Sequence, residues 1–196
     1  MSGRLSEQDL DLTFRNARTA NRFQDLEVSP QQLREIWDVM KWGPTSANCM
    51  PARIIWCLGA DSKNTLAGCA SAANAVKIRA APAAAIIAMD LEFYERLPEL
   101  YPATDARSWF VGNEQIIKET ALRNSSLQGA YLIIAARALG FDVGPMSGFD
   151  NAAVDRAFFG GTSIRSNFIL TLGHADPAAY RPRGPRLPFE EANSIL

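Results

Sequence analysis

What this chain lacks narrows its chemistry first. It carries one histidine, His174, and three cysteines, Cys49, Cys57 and Cys69, with no Cys-x-x-Cys pair among them. A histidine-based zinc site or a Ser-His-Asp triad would need that single imidazole in a defined partnership. Three cysteines make no even disulfide framework, so a reducing cytoplasm is the expected compartment, and no metal site is expected. Glycines at 140, 144 and 148 have the wrong spacing for a dinucleotide fingerprint or a Walker loop. Charge of neither sign is in excess: 20 basic residues stand against 21 acidic ones. No basic field is left for nucleic acid. The longest apolar run, Ala80 to Met89, contains Pro82 and is too short to span a bilayer, so no membrane partner is expected. The polar opening Met1 to Asp9 lacks the apolar stretch of a signal peptide.

Against these absences, 47% of the 196 residues are hydrophobic. That is enough for one substantial core, and no repeat or linker interrupts it, so residues 1–196 read as a single domain. Ser29-Pro30-Gln31-Gln32 is a capping box with proline at the first helical position. Leu33, Ile36, Trp37 and Met40 follow at helical spacing, and Gly43-Pro44 stops the helix. Strands are predicted at 54–58, 83–89 and 167–173. Asp61 is the expected cap of a short helix, and Asn74 to Arg79 reads as one or two further turns. The longest helical signal runs from Asn113 to Leu139 and ends at Gly140. Its stripe of Leu127, Ala130, Tyr131, Ile134, Ala135 and Ala138 suits close approach, in the core or across a dimer interface. Asp150 caps a later helix, with Phe149 and Val154 placed for a hydrophobic staple. Residues 90–112 are apolar but irregular, as a lid or interface excursion would be. The order is α+β, with three or four strands separated by helices.

Two features stand out as candidate sites. The loop Lys41-Trp42-Gly43-Pro44-Thr45-Ser46-Ala47-Asn48-Cys49-Met50-Pro51-Ala52-Arg53 sets short polar side chains and backbone amides between a helix and a strand. It is either a plain connection or a binding loop. Arginines gather at both ends: Arg15, Arg18 and Arg22 with Thr19 and Asn21, then Arg181, Arg183 and Arg186. They are either solvated surface clusters or, where chain ends meet, a cradle for phosphate. His174, after a predicted strand, reads as structural. Cys49 has no neighbouring base in sequence to make it a nucleophile.

Taken in order, these pieces resemble the flavin-dependent nitroreductase family. The likeness rests on Arg18-Thr19-Ala20-Asn21-Arg22-Phe23, on Pro44-Thr45-Ser46-Ala47-Asn48-Cys49-Met50-Pro51, and on Asn74 ahead of Ala81-Pro82. It continues with Ala138-Leu139-Gly140, Gly148-Phe149-Asp150 and Arg186-Leu187-Pro188. Asn21 stands where that family usually has a second basic residue, and Met50 and Ala52 replace its usual Gln and Trp. Within the family the chain is similar to the malonic semialdehyde reductase branch of bacterial pyrimidine degradation.

The resemblance implies a nitroreductase-like fold: a central mixed or antiparallel sheet surrounded by helices, in an intertwined homodimer. It implies flavin mononucleotide (FMN) as cofactor, NADH or NADPH as reductant, and ping-pong hydride transfer to a small-molecule acceptor, malonic semialdehyde, giving 3-hydroxypropionate. The alternatives are a broad quinone or nitroaromatic acceptor, or a flavin-binding protein without turnover. Arg18, Thr19, Asn21 and Arg186 would hold the phosphate and ribityl chain. Pro44, Thr45, Ser46 and Asn48 would come from the partner subunit. Asn74 would meet the polar edge of the ring, and Pro145, Met146, Ser147 and Gly148 would lie beside it. Fixed backbone donors there would stabilise the negative charge of the reduced ring. Arg107, with Trp109 and Phe110, is the expected substrate-binding group, and no protein nucleophile is required.

Overall fold

The computed structural model describes residues 3–196. In chain order the elements are α1 (Glu7–Leu10), α2 (Pro30–Met40), β1 (Ala52–Cys57), α3 (Ala60–Gly68), α4 (Ala72–Ala80) and β2 (Ala83–Asp90). They continue with α5 (Leu97–Leu100), α6 (Glu114–Ala138), β3 (Asp142–Met146), α7 (Asn151–Phe158), β4 (Ile164–Gly173) and α8 (Phe189–Ala192). One sheet of order β1-β2-β4-β3 forms the centre, antiparallel throughout.

β2 explains the layering. It is buried on both faces, and its side chains alternate between two cores, as the strand period demands. Ala83, Ala85 and Ile87 join Leu33, Ile36 and Met40 of α2 and Leu132, Ala135 and Ala136 of α6. Ala84, Ile86 and Ala88 join Leu66 of α3, Ile78 of α4 and Val154 of α7. Alanine at most of these positions lets helices settle close to the sheet from both sides. The result is helix, sheet and helix in three layers.

The sequence signals that held are those with a local mechanism. Ser29 and Gln32 form the reciprocal capping box of α2, and the Asp150 carboxylate accepts from the Ala153 amide to start α7. Gly140, at φ 83°, follows the end of α6. Asp61 does not cap α3: Gly59 holds that position and Asp61 lies inside the first turn. β3 was missed, because Gly144-Pro145 breaks any strand pattern. At the sheet edge, where Pro145 sits opposite Leu170, proline costs no ladder bond.

Residues 90–112 are neither lid nor excursion within the protomer. They form two 3-10 turns around α5, which explains the missing period, and bury Phe93, Leu97, Ala106 and Phe110 against Cys49 and Ala121. The apolar stripe on α6 faces mostly away from this core. Leu127, Ala130 and Ala138 are exposed, and Tyr131 and Ile134 half-buried.

Candidate functional site

The two arginine clusters meet. Thr19 bridges Val143 of β3, the Ala20 amide donates to the Val143 carbonyl at 2.9 Å, and Phe23 bridges Ala175. This seam ties the N-terminal segment to the end of the sheet, where the C-terminal tail also begins. The Arg183 guanidinium donates to the carbonyls of Arg15 and Ala17. A cavity of about 590 Å³ results, lined among others by Arg18, Thr19, Asn21, Arg137, Arg183 and Arg186.

Its electrostatics are one-sided, since no carboxylate lines it. Arg18 Nη1 donates to the carbonyls of Arg15, Asn16 and Ala17, and Arg186 Nη1 to those of Gly184 and Pro185, which leaves the rest of each fork open. Desolvation, then the charges of Arg18 and Arg186, pull the Arg183 pKa below its ordinary value. Arg137 is likewise lowered, mainly by burial, with Asp142 opposing and Arg183 adding to the effect. Uncompensated guanidinium groups of this kind fit a phosphate.

Arg15 and Arg22 turn elsewhere. Arg15 pairs with Glu7 at 2.7 Å and Asp11 at 3.1 Å, and Arg22 with Asp176 at 2.8 Å. Asn21, in place of a basic residue, folds back on the Thr19 carbonyl at 3.4 Å. Arg137 was not foreseen. It looked like an ordinary basic residue in the last turn of a helix, and only tertiary structure brings it to the pocket.

The second group lies at the mouth of β3. Asn74 of α4 donates to the Gly148 carbonyl at 3.1 Å, and the Ser71 amide donates to the same oxygen at 2.9 Å. A Cβ at 148 would come within 2.8 Å of the Asn74 amide nitrogen, so glycine is what allows this close approach. Pro145, Ser147 and Gly148 are exposed beside it, with Met146 half-buried.

The 44–52 loop forms the third group. Ala47, Asn48 and Met50 have φ of 48°, 51° and 39°. A left-handed conformation costs a non-glycine residue roughly 1–2 kcal/mol, with asparagine the most tolerant. The Ser46 amide donates to Asn124 Oδ1 at 2.8 Å, the Met50 amide to Thr45 Oγ1 at 3.2 Å and the Ala52 amide to Gln128 Oε1 at 2.8 Å. Pro44, Ser46 and Asn48 are exposed, and none of the loop lines the arginine cavity. Cys49 is buried beneath it. Desolvation pushes its thiol up to about 11, against a weaker opposing bond from Thr45, so it is no nucleophile at neutral pH.

The expected substrate group is spread out. Arg107 is held bidentate by Glu95 at 2.7 and 2.8 Å, 6.0 Å over the Tyr94 ring. Trp109 is 52% exposed, whereas Phe110 is 6% exposed and packs edge-on against Phe93. His174 stacks on Phe141 with ring centroids 5.1 Å apart. No group of three or more His, Cys, Asp or Glu among the described residues could hold a metal, and no helix is long and apolar enough to cross a membrane.

Residues 15–174 match the nitroreductase family. The chain belongs to that family. A Stenotrophomonas maltophilia (strain K279a) protein, provisionally named an NADH dehydrogenase/NAD(P)H nitroreductase, is 55% identical over 195 residues, covering 100% of both chains. A Xanthomonas oryzae pv. oryzae protein of the same provisional name is 55% identical over 192 residues, covering 98% of each chain. Among solved structures, a Bacillus subtilis nitroreductase-type protein superposes with a TM-score of 0.86 at 22% identity, covering 97% of this chain and 100% of its own. A nitroreductase-type protein from Exiguobacterium sibiricum, crystallised with FMN, gives 0.85 at 19% identity over 100% of both chains. These likenesses establish a nitroreductase fold whose sheet, in this chain, is antiparallel rather than mixed.

Proposed function

We propose that this nitroreductase is an FMN-dependent NAD(P)H oxidoreductase acting as a homodimer. The observation that carries the reading is the carboxylate-free arginine cavity, whose donors suit a phosphate, at the edge of a nitroreductase sheet. FMN would supply a two-electron carrier between reduced nicotinamide and an organic acceptor. Arg18, Arg183 and Arg186 would hold its phosphate, and Thr19 and Asn21 the adjoining chain. Asn74, with Pro145, Met146, Ser147 and Gly148, would border the ring. Homologues bearing NAD(P)H nitroreductase names support the choice of reductant.

The dimer follows from a mismatch. Pro44, Thr45, Ser46 and Asn48 lie outside the arginine cavity of their own protomer, so at a shared flavin they would come from a partner. An apolar groove along the edge strand β1, lined by Leu33, Trp37, Ile54 and Trp56, and the 81%-exposed Trp42 support a covered surface. So does the outward stripe on α6.

For the acceptor, malonic semialdehyde reduced to 3-hydroxypropionate is the first reading, supported by the branch resemblance and by Arg107 near Tyr94 and Trp109. The Glu95–Arg107 pair favours a second, a broad quinone or nitroaromatic acceptor, because a substrate carboxylate would have to displace Glu95. The purified protein should be yellow, release FMN on denaturation and bleach with NADH or NADPH. A colourless protein that takes up no added FMN refutes the function. Arg107→Ala should impair turnover of the acidic aldehyde and spare an uncharged quinone. Quinone turnover without aldehyde turnover decides for the broad acceptor.

A further inference from the structure

Three side chains on one face of α6 hold the 44–52 loop from beneath. Asn124, Gln128 and Tyr131 stand at positions i, i+4 and i+7, which stack along a helix. Asn124 and Gln128 are each 1% exposed, in a place where helix periodicity calls for apolar side chains. Their bonds reach out of the helix into the loop. Asn124 Oδ1 accepts from the Ser46 amide and Gln128 Oε1 from the Ala52 amide, both at 2.8 Å, while the Tyr131 hydroxyl donates to the Pro44 carbonyl at 2.9 Å. Asn124 is itself fixed by its Nδ2 bond to the Thr120 carbonyl at 2.9 Å. Gly43 completes the fit, since a Cβ there would overlap the Tyr131 ring. Between these anchors lie Ala47, Asn48 and Met50 at positive φ. A loop strained in this way keeps its shape only where its surroundings over-determine it.

We propose that Asn124, Gln128 and Tyr131 are positioning residues that hold this loop in the one conformation able to receive flavin. The inference rests on the function proposed above. Without the ladder the left-handed turn relaxes, and affinity falls by the fraction of molecules still in the receptive shape.

Wild-type protein, Gln128→Met, Tyr131→Phe, Gln128→Glu and Arg18→Ala would be stripped of flavin. Each would then be titrated with FMN by fluorescence quenching, with amide hydrogen exchange followed in parallel at Ser46 and Ala52. If removing an anchor leaves about a tenth of loops receptive, Gln128→Met and Tyr131→Phe bind FMN about tenfold more weakly and exchange faster at those amides. Gln128→Glu, which burial keeps as the neutral acid with an acceptor oxygen at the same reach, recovers both. Arg18→Ala weakens binding with exchange unchanged, which separates phosphate contact from loop shape. Faster exchange with unaltered FMN affinity overturns the proposal, as does weaker binding with unaltered exchange. If Gln128→Met fails to fold, Tyr131→Phe decides by the same two readouts. A wild-type protein that takes up no FMN overturns the proposed function and the flavin role of the loop, whereas loss of binding in Arg18→Ala alone overturns only the ladder.

Discussion

The arginine cavity and the 44–52 loop are built in opposite ways. The cavity is made of long side chains, most of them near the chain ends, steadied by main-chain carbonyls and by no carboxylate. Its charge suits the phosphate proposed for it. The loop is short and strained, and buried polar groups of α6 lock it through its own backbone. One region should therefore answer to charge and salt, the other to volume and backbone shape.

Substitution in the cavity should give the largest effect, and only on binding. Arg18→Ala or Arg186→Ala should weaken FMN affinity by about ten- to a hundredfold, roughly the 1.5–3 kcal/mol of a charge-assisted hydrogen bond. Thermal melting of the apoprotein should hardly change, and the loss should shrink as salt rises, as fluorescence titration at two ionic strengths would reveal. An equal loss of stability would mean that these arginines hold the fold.

Gly43→Ala tests the loop in the reverse sense. The added methyl meets the Tyr131 ring, and overpacking of this kind costs about 1–3 kcal/mol. The urea midpoint should drop, with no dependence on salt. Ala47→Gly should act more gently and in the opposite direction, raising stability by about 1 kcal/mol and the urea midpoint with it, because glycine relieves the left-handed strain. A lower midpoint would mean that the native turn is unstrained.

Near neutral pH the smallest effect concerns Cys49 beneath the loop. Its folded pKa is raised from 9.0 to about 11. The unfolded thiol therefore ionises first, so its contribution to stability is intact below pH 9 and lost as pH climbs toward 11. At neutral pH the native protein should resist iodoacetamide at this residue, and mass spectrometry of labelled peptides would check it. Rapid labelling would show that the loop opens.

How far the sequence foretold these regions depended on the range of the forces involved. Ser29–Gln32 and Asp150 act within one helical turn, so their caps were legible, and β2 announced itself as an apolar run. The arginine pairing across the termini was visible as composition, but Arg137 joined it only through the packing of α6. The helix itself was found, yet its inward face was misjudged. Asn124 and Gln128 are buried because the amides of a neighbouring loop bond to their oxygens, and no periodicity of apolar residues records that need. β3 escaped for a similar reason, since a sheet edge tolerates a Gly-Pro pair that a central strand would reject.

The alanines of β2 have a consequence for how such a protein can change. With side chains of minimal size facing both cores, the strand works as a spacer that sets the distance between the two helical layers. Enlarging any one of them pushes away the layer that it faces and shifts the loops mounted on that layer. The middle of the molecule is a fixed gauge, and change is easiest at the rim, where the exposed side chains of residues 90–112 can be redrawn without resetting it.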